Sequence, residues 1–163
     1  MDITDNDKLG DLSGLENLNR LFVSLTIQNN NNLLTLDGLD NLTNVEGADK
    51  LMVTICDNDA LISLGGLAAN GIRIGDVTIC NNDALTSLSG LESHTGGILV
   101  IRDNDALTSL SGLEGVESVG RLTILNNDGL TSLSGLDNLT GSASDLIIED
   151  NDNLTSLSGL DNL

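Results

Sequence analysis

The chain has 163 residues, with 25 acidic against 6 basic side chains, a formal net charge of −19, no proline, and Phe22 as its one aromatic residue. This charge argues against nucleic-acid and anionic-membrane partners, because both require a basic surface. The length predicts one domain, residues 1–163, and no apolar stretch approaches the roughly 18 residues of a membrane span. Eighteen glycines favour short strands joined by turns over long helices.

A repeat of 22 to 28 residues runs along the chain. Each unit follows the template Leu/Val-x-Ile-x-x-Asn-x-x-Leu-x-x-Leu-x-Gly-Leu, with a constant spacing from Ile to the final Leu and a variable segment before the next unit. The glycines of the Gly-Leu pair are Gly14, Gly38, Gly66, Gly90, Gly112, Gly135 and Gly159. The units are approximately 1–24, 25–52, 53–76, 77–98, 99–121, 122–145 and 146–163.

The Leu-x-Ile alternation that opens each unit predicts a short strand with both apolar side chains on one face. A unit of this size cannot bury that face alone, so successive units stack and their strands pair in parallel. The sequence therefore predicts an all-β protein, a parallel β-solenoid of about seven coils. The variable segment forms the third side of each coil, as at 42–45 and 116–119, and the template Asn is expected to point inward and bond backbone groups and neighbouring Asn residues.

The segment Leu122–Leu136, Leu-Thr-Ile-Leu-Asn-Asn-Asp-Gly-Leu-Thr-Ser-Leu-Ser-Gly-Leu, resembles the receptor L-domain repeat, a relative of leucine-rich repeats. Leu130 follows Asn127 by three residues, whereas a standard leucine-rich repeat places this leucine two residues after the asparagine. The resemblance covers essentially the whole chain. It implies a non-enzymatic binding or adhesion module, extracellular or at the cell surface, with a protein or other surface ligand as its partner.

Both ends of the repeat array are expected to be uncapped. Met1 stands where the template has Leu, and Leu163 ends a unit just after Gly159-Leu160. Solenoids normally carry polar terminal caps. Two interpretations stay open: a fragment of a longer array, or a structural array whose ends stack on one another.

Sixteen of the 25 acidic residues fall into three template columns, one before the template Asn, one after it and one after Gly-Leu. Stacked Asp-x-Asp pairs offer the oxygen ligands that Ca²⁺ takes. The alternative is that Asp and Asn supply turn chemistry and their charge is solvated. The candidate calcium ligands are Asp57, Asp59, Asp83, Asp103, Asp105, Asp128, Asp150 and Asp152.

Cys56 and Cys80 occupy the same position in adjacent coils and are expected to point outward as neighbours. Adjacent coils bring equivalent Cα atoms to about 4.8 Å, which lies within disulfide range. A disulfide in an exported protein and a pair of exposed thiols are both consistent with this spacing.

A column of threonines, Thr86, Thr108, Thr131 and Thr155, follows the first Leu of the second side. Regular hydroxyl columns on a flat face resemble those with which ice-binding proteins order surface water, so ice binding is an alternative function. The other interpretation is that Thr is a good outward strand residue.

The longest variable corner, 40–51, contains Glu46, Asp49 and Lys50 and is the expected ligand contact. His94, the only histidine, lies beside Gly96-Gly97 in another variable corner and is expected to be exposed. Every carboxylate of the three columns is one copy in a series, unlike the singular groups of a catalytic cleft. The sequence therefore predicts no enzyme.

Overall fold

The computed structural model describes residues 1–67, 72–141 and 143–163. Nine strands occupy these ranges: β1 Asp2–Thr4, β2 Arg20–Leu21, β3 Ser24–Gln28, β4 Asn44–Val45, β5 Leu51–Cys56, β6 Ile74–Cys80, β7 Ile98–Arg102, β8 Arg121–Leu125 and β9 Asp145–Glu149. Helical structure in the same ranges is limited to the 3-10 turn Gly65–Leu67. No helix there is long and apolar enough to cross a membrane.

Seven of the strands form one parallel sheet in the order β1-β3-β5-β6-β7-β8-β9. Equivalent template positions face each other across it, so that Ile27 lies opposite Ile55 and Ile55 opposite Ile79. A bulge between Leu51 and Val53 shifts the register where β5 pairs with β6. These pairings confirm the predicted all-β parallel β-solenoid.

The variable segment forms a second, smaller sheet in the first repeats. Strands β2 and β4 pair in parallel, with Arg20 opposite Asn44 and Leu21 opposite Val45. This pairing places the end of the predicted third side, 42–45, directly beside the equivalent segment of the preceding coil.

The template apolar residues form one continuous core along the solenoid. Ile55, Ile79 and Leu88 have no exposed surface, and they lie in columns whose members are buried in coil after coil. Burying an apolar side chain of this size contributes roughly 1.5–3 kcal/mol, and no single coil can cover its own face. Stacking of coils is therefore the source of stability.

A ladder of buried asparagines runs beside this core. The main-chain N–H of Asn82 donates to Oδ1 of Asn104 (3.2 Å), and its Nδ2 donates to the carbonyl oxygens of Ile55 and Cys80 (both 3.0 Å). The Asn104 side-chain oxygen thereby gives a buried backbone N–H its acceptor, and the Asn82 side-chain amide adds hydrogen bonds to two buried carbonyl oxygens. The predicted inward role of the template Asn is confirmed, and the same pattern recurs at Asn30, Asn58, Asn104 and Asn127.

The residue before each ladder asparagine lies in the left-handed backbone region, with φ between 51° and 59°. Asn and Asp enter this region more readily than other residues with a side chain. The turn therefore accounts for a column that contains only these two residue types: Asp5, Asn29, Asp57, Asn81, Asp103, Asn126 and Asp150.

Candidate functional site

Basic side chains gather at one corner of the solenoid although the chain is strongly acidic. Four of the six stand at the start of main-sheet strands or within four residues before it: Arg20, Lys50, Arg73 and Arg121. Here the variable third side of a coil turns into the main sheet. We call residues 19–23, 43–52 and 72–73 the ligand corner.

Two open cavities adjoin β4 in the ligand corner. The first has a volume of about 250 Å³ and is lined by Thr43, Asn44, Val45, Ala48, Asp49, Ile72 and Arg73. The second has a volume of about 440 Å³ and is lined by Asn19, Arg20, Asn44, Val45 and Glu46. Both cavities share the two residues of β4, and their walls combine apolar surface with amide, carboxylate and guanidinium groups. Such a combination can orient a ligand through a few polar contacts.

Exposed apolar side chains lie on the same corner. Phe22 is 68% exposed, Met52 43% and Val23 41%. The Met52 N–H donates to the Val23 carbonyl oxygen at 3.0 Å, so these residues of adjacent coils are direct neighbours. Aromatic residues, Met and Arg are enriched at protein interfaces. Phe22, the one Phe, Tyr or Trp side chain of the protein, therefore stands on the surface where the basic residues also gather.

The three residues predicted for the ligand contact divide into two roles. Glu46 lines the larger cavity and pairs with Arg20, whose Nη1 lies 3.3 Å from Oε2. Asp49 lines the smaller cavity together with Arg73. Lys50 lines neither; its Nζ donates to the carbonyl oxygens of Thr95 (2.5 Å) and Gly96 (3.4 Å) two coils away. Lys50 therefore ties the corner to the turn at residues 95–96, two coils further along the solenoid.

His94 is buried, with 2% of its surface exposed, so the expectation of an exposed loop residue was wrong. It stands four residues after the template glycine, a position that is Leu or Val in five of the other six coils (Leu18, Leu42, Val116, Leu139 and Leu163) and Asn70 in the third. The position of His94 in the repeat therefore indicated burial, whereas the nearby glycines suggested an exposed loop. Burial lowers the pKa of His94, the nearby Lys50 ammonium lowers it further, and the Gly75 carbonyl and the Asp76 carboxylate oppose both effects.

The acidic column before the ladder asparagines is engaged in hydrogen bonds within the solenoid. Asp57 accepts from Asn81 Nδ2 at one oxygen (2.7 Å) and from Gln28 Nε2 at the other (2.9 Å). Asp103 likewise accepts from Asn126 Nδ2 (2.6 Å) and pairs with Arg102 (2.5 Å). The alternation of Asp with Asn thus gives Asp5, Asp57 and Asp103 each a donor in the next coil, and the carboxylates of Asp57 and Asp103 are occupied without an ion.

The column after Gly-Leu has a second structural use. In six coils its carboxylate accepts a hydrogen bond from the N–H of the template glycine two residues earlier, at 2.7 to 3.1 Å. A carboxylate in this position closes a tight turn around a glycine of positive φ. The residues are Glu16, Asp40, Glu92, Glu114, Asp137 and Asp161.

The third acidic column forms an exposed row along one edge: Asp59, Asp83, Asp105, Asp128 and Asp152. Partial burial raises the pKa of Asp83, and the charges of Asp59 and Asp105 in the flanking coils raise it further. In the described ranges no three acidic, His or Cys side chains converge as the ligands of a metal ion would. The geometry therefore adds no support for a calcium site here or at Asp150, and calcium binding stays a hypothesis.

Cys56 and Cys80 lie opposite each other at the ends of β5 and β6. Their Sγ atoms are joined in the structure at 2.04 Å, with Cα atoms 4.5 Å apart. The side chains are 4% and 3% exposed. The two cysteines therefore form a covalent link between adjacent coils, and both side chains are almost completely buried.

The threonine column is exposed, and most of its hydroxyls are used within the solenoid. Thr86, Thr131 and Thr155 donate from Oγ1 to carbonyl oxygens of the preceding coil at 3.2 to 3.4 Å. Thr108 is exposed in the same column, which continues into the two earlier coils as Ile62 and Leu34. The hydroxyls thus cross-link coils, and this arrangement gives no particular support to ice binding.

A comparison with protein families gives one result. The family model described as Receptor L domain matches residues 1–95, more than half of the chain. No curated protein and no solved structure matches the chain.

Proposed function

The chain belongs to the receptor L domain family, a family of non-enzymatic binding domains, and from this premise we propose that it binds a protein ligand at the ligand corner. The observation that carries the proposal is the coincidence, on one corner, of two cavities with the exposed side chains of Phe22 and Met52. Binding energy in protein interfaces concentrates in a few aromatic and Arg anchors, surrounded by contacts that exclude water. Phe22, Met52 and Arg73 have this composition.

The rest of the molecule acts as a rigid acidic scaffold in this proposal. The core columns and the asparagine ladder hold each coil against its neighbours, so the corner keeps its shape without a ligand. Family members occur in extracellular receptor ectodomains, and we place this chain outside the cell as well. The link between Cys56 and Cys80 supports an oxidising compartment, where disulfides persist.

The proposal is tested with a displayed peptide library selected against the whole chain. We expect the enriched peptides to lose about tenfold or more in affinity for Phe22→Ala and Met52→Ala, the scale of interface anchors. The matched control is Ile62→Ala, which removes an exposed aliphatic side chain (47% exposed) outside the ligand corner. Equal affinity for the wild type and Phe22→Ala would place the binding surface elsewhere and reject the proposal.

A further inference from the structure

His94 is the one buried polar side chain of the core that does not take part in the asparagine ladder, within the ranges described. Both its ring nitrogens lack a hydrogen-bond partner among those residues. A buried polar group without a partner costs about 1–3 kcal/mol, and a buried charge costs more. The neutral ring is tolerated at this leucine position, whereas the imidazolium is strongly disfavoured.

Two charged side chains face the ring from the elements packed against it. Lys50, which directly precedes β5, opposes protonation, and Asp76 of β6 favours it. In the next coil the equivalent core position is Val116, which offers no polar contact. Asp76 is already engaged, since its Oδ1 accepts from the Ile98 N–H at 2.9 Å. Protonation therefore places a second cation near Lys50, while the Asp76 carboxylate is already engaged and the Gly75 carbonyl oxygen, which also favours protonation, makes no hydrogen bond of standard geometry with the ring.

The turn that carries His94 is also the anchor of Lys50. Thr95 accepts from Lys50 Nζ at its carbonyl oxygen, and its N–H donates to the Ile74 carbonyl oxygen at 2.9 Å. Lys50 in turn directly follows the segment 43–49 that lines the two cavities, and its Cβ lies over Gly75. A displacement of residues 93–96 therefore removes the two hydrogen bonds that anchor the Lys50 end of the ligand corner.

We propose that His94 is a proton-sensitive element of the ligand corner: its protonation below neutral pH loosens the 93–96 turn, releases Lys50 and lowers the affinity of the corner for its ligand, a last step that rests on the proposed function. The partner is then a protein bound near neutral pH and released in acid. The device needs no movement of the main sheet as a whole, because the affected bonds lie where β5 and β6 begin.

Hydrogen exchange of the whole chain at pH 7.5 and pH 5.5 tests the first step. After correction for intrinsic exchange, we expect the amides of His94 and Thr95 to exchange about tenfold faster at the lower pH in the wild type, a local opening of the turn. In His94→Leu, which restores the template residue, the same amides should change by less than about twofold. The amide of Leu85, which donates to the Asn82 carbonyl oxygen beside the asparagine ladder, serves as the internal control. Equal pH sensitivity of wild type and His94→Leu overturns the proposal.

A second measurement does not depend on the variant folding well. His94 is the only histidine, so the ring resonances of the wild type report on this site alone. We expect a titration midpoint below the ordinary histidine value of about 6.5. A midpoint at or above that value would show that the folded state accepts the proton and would overturn the proposal.

The selected library peptides test the last step. We expect their affinity for the wild type to fall at pH 5.5 by about tenfold more than for His94→Leu. An equal change in both proteins rejects the coupling between His94 and the ligand corner. If no peptide binds the corner at either pH, the proposed function fails, while exchange and ring titration still decide whether His94 controls the turn.

Discussion

Asn82 and Asn104 stack one above the other in the buried ladder, and Oδ1 of Asn104 accepts from both the main-chain N–H and the Nδ2 of Asn82, at 3.2 and 3.3 Å. One side chain therefore closes its own corner and holds the next coil in register. Asn30, Asn58, Asn104 and Asn127 make the same double contact with the asparagine of the following coil, so the ladder constrains the register of coils along most of the solenoid.

The first prediction concerns Asn82. Replacing it with Ala leaves the buried Asn58 N–H without an acceptor and removes the bonds from Asn82 Nδ2 to the Ile55 and Cys80 carbonyl oxygens. The Cys80 oxygen still accepts from the Asp57 N–H. We expect Asn82→Ala to lower the free energy of unfolding by about 2–4 kcal/mol, since an orphaned buried group costs about 1–3 and each lost hydrogen bond about 0.5–1.5. Urea denaturation measures the loss. Asn153→Ala, which removes one exposed bond to the Asp128 carbonyl oxygen, is the control and should cost less than about 1 kcal/mol. Equal losses would contradict a structural ladder.

The second prediction compares two glycines of the same column. Gly112 and Gly14 have φ of +104° and +102°, so Ala is strained at both. A Cβ at Gly112 would lie 2.2 Å from the carbonyl carbon of Leu88, whereas one at Gly14 meets nothing within 4 Å. We expect Gly14→Ala to cost about 1–3 kcal/mol from backbone strain. Gly112→Ala should cost about 2 kcal/mol more, because the preceding coil must shift. Thermal unfolding compares the two, and similar melting temperatures would show that the coils are not in close contact here.

The third prediction concerns charge repulsion in the exposed row. The pKa of Asp83 is higher in the folded state than in the unfolded chain, so the folded state binds more protons at this carboxyl group. The free energy of unfolding therefore falls as the pH rises through the folded-state pKa. Asp83→Asn should therefore stabilise the protein at pH 7, by less than about 1 kcal/mol because the group is exposed and screened. At pH 3 or in 1 M salt the gain should vanish, since protonation or screening removes the repulsion. Asp7→Asn is the control, because the next coil has the neutral Asn31 at this position and no like charge faces Asp7 from it. A gain that persists at pH 3 would exclude repulsion as its cause.

The fourth prediction concerns the link between Cys56 and Cys80. Protein folded under oxidising conditions should contain no free thiol, and the double substitution to Ser should lower the free energy of unfolding by about 3 kcal/mol, given the 24-residue separation of the cysteines. Thiol titration without reductant and urea denaturation measure the two effects. The double variant Thr54→Ser with Thr78→Ser alters a neighbouring pair of the same two strands without a cross-link and is the control. Two titratable thiols in the oxidised protein would refute the link.

Much of the fold is predictable from the sequence because a strand alternates its side chains and a repeat must cover its own apolar face. The Ile columns, the parallel pairing and the inward asparagines follow from spacing alone, and all three are confirmed. The burial of His94 follows from the same spacing once its position is counted from the template glycine. The local glycines suggested a loop, yet the repeat register decides the environment of this side chain.

The sequence by itself determined the coil, its stacking direction and the columns in which the acidic residues lie. Only the tertiary structure decided what those columns do: Asp57 accepts amides from its neighbours, Glu92 closes a glycine turn, and Asp83 faces like charges. It also decided that Lys50 reaches the Thr95 carbonyl oxygen while Phe22 stays exposed beside the cavities. The physical reason is that periodicity sets which residues share a column, whereas hydrogen bonds and corner geometry depend on lateral contacts between coils whose connecting segments differ in length.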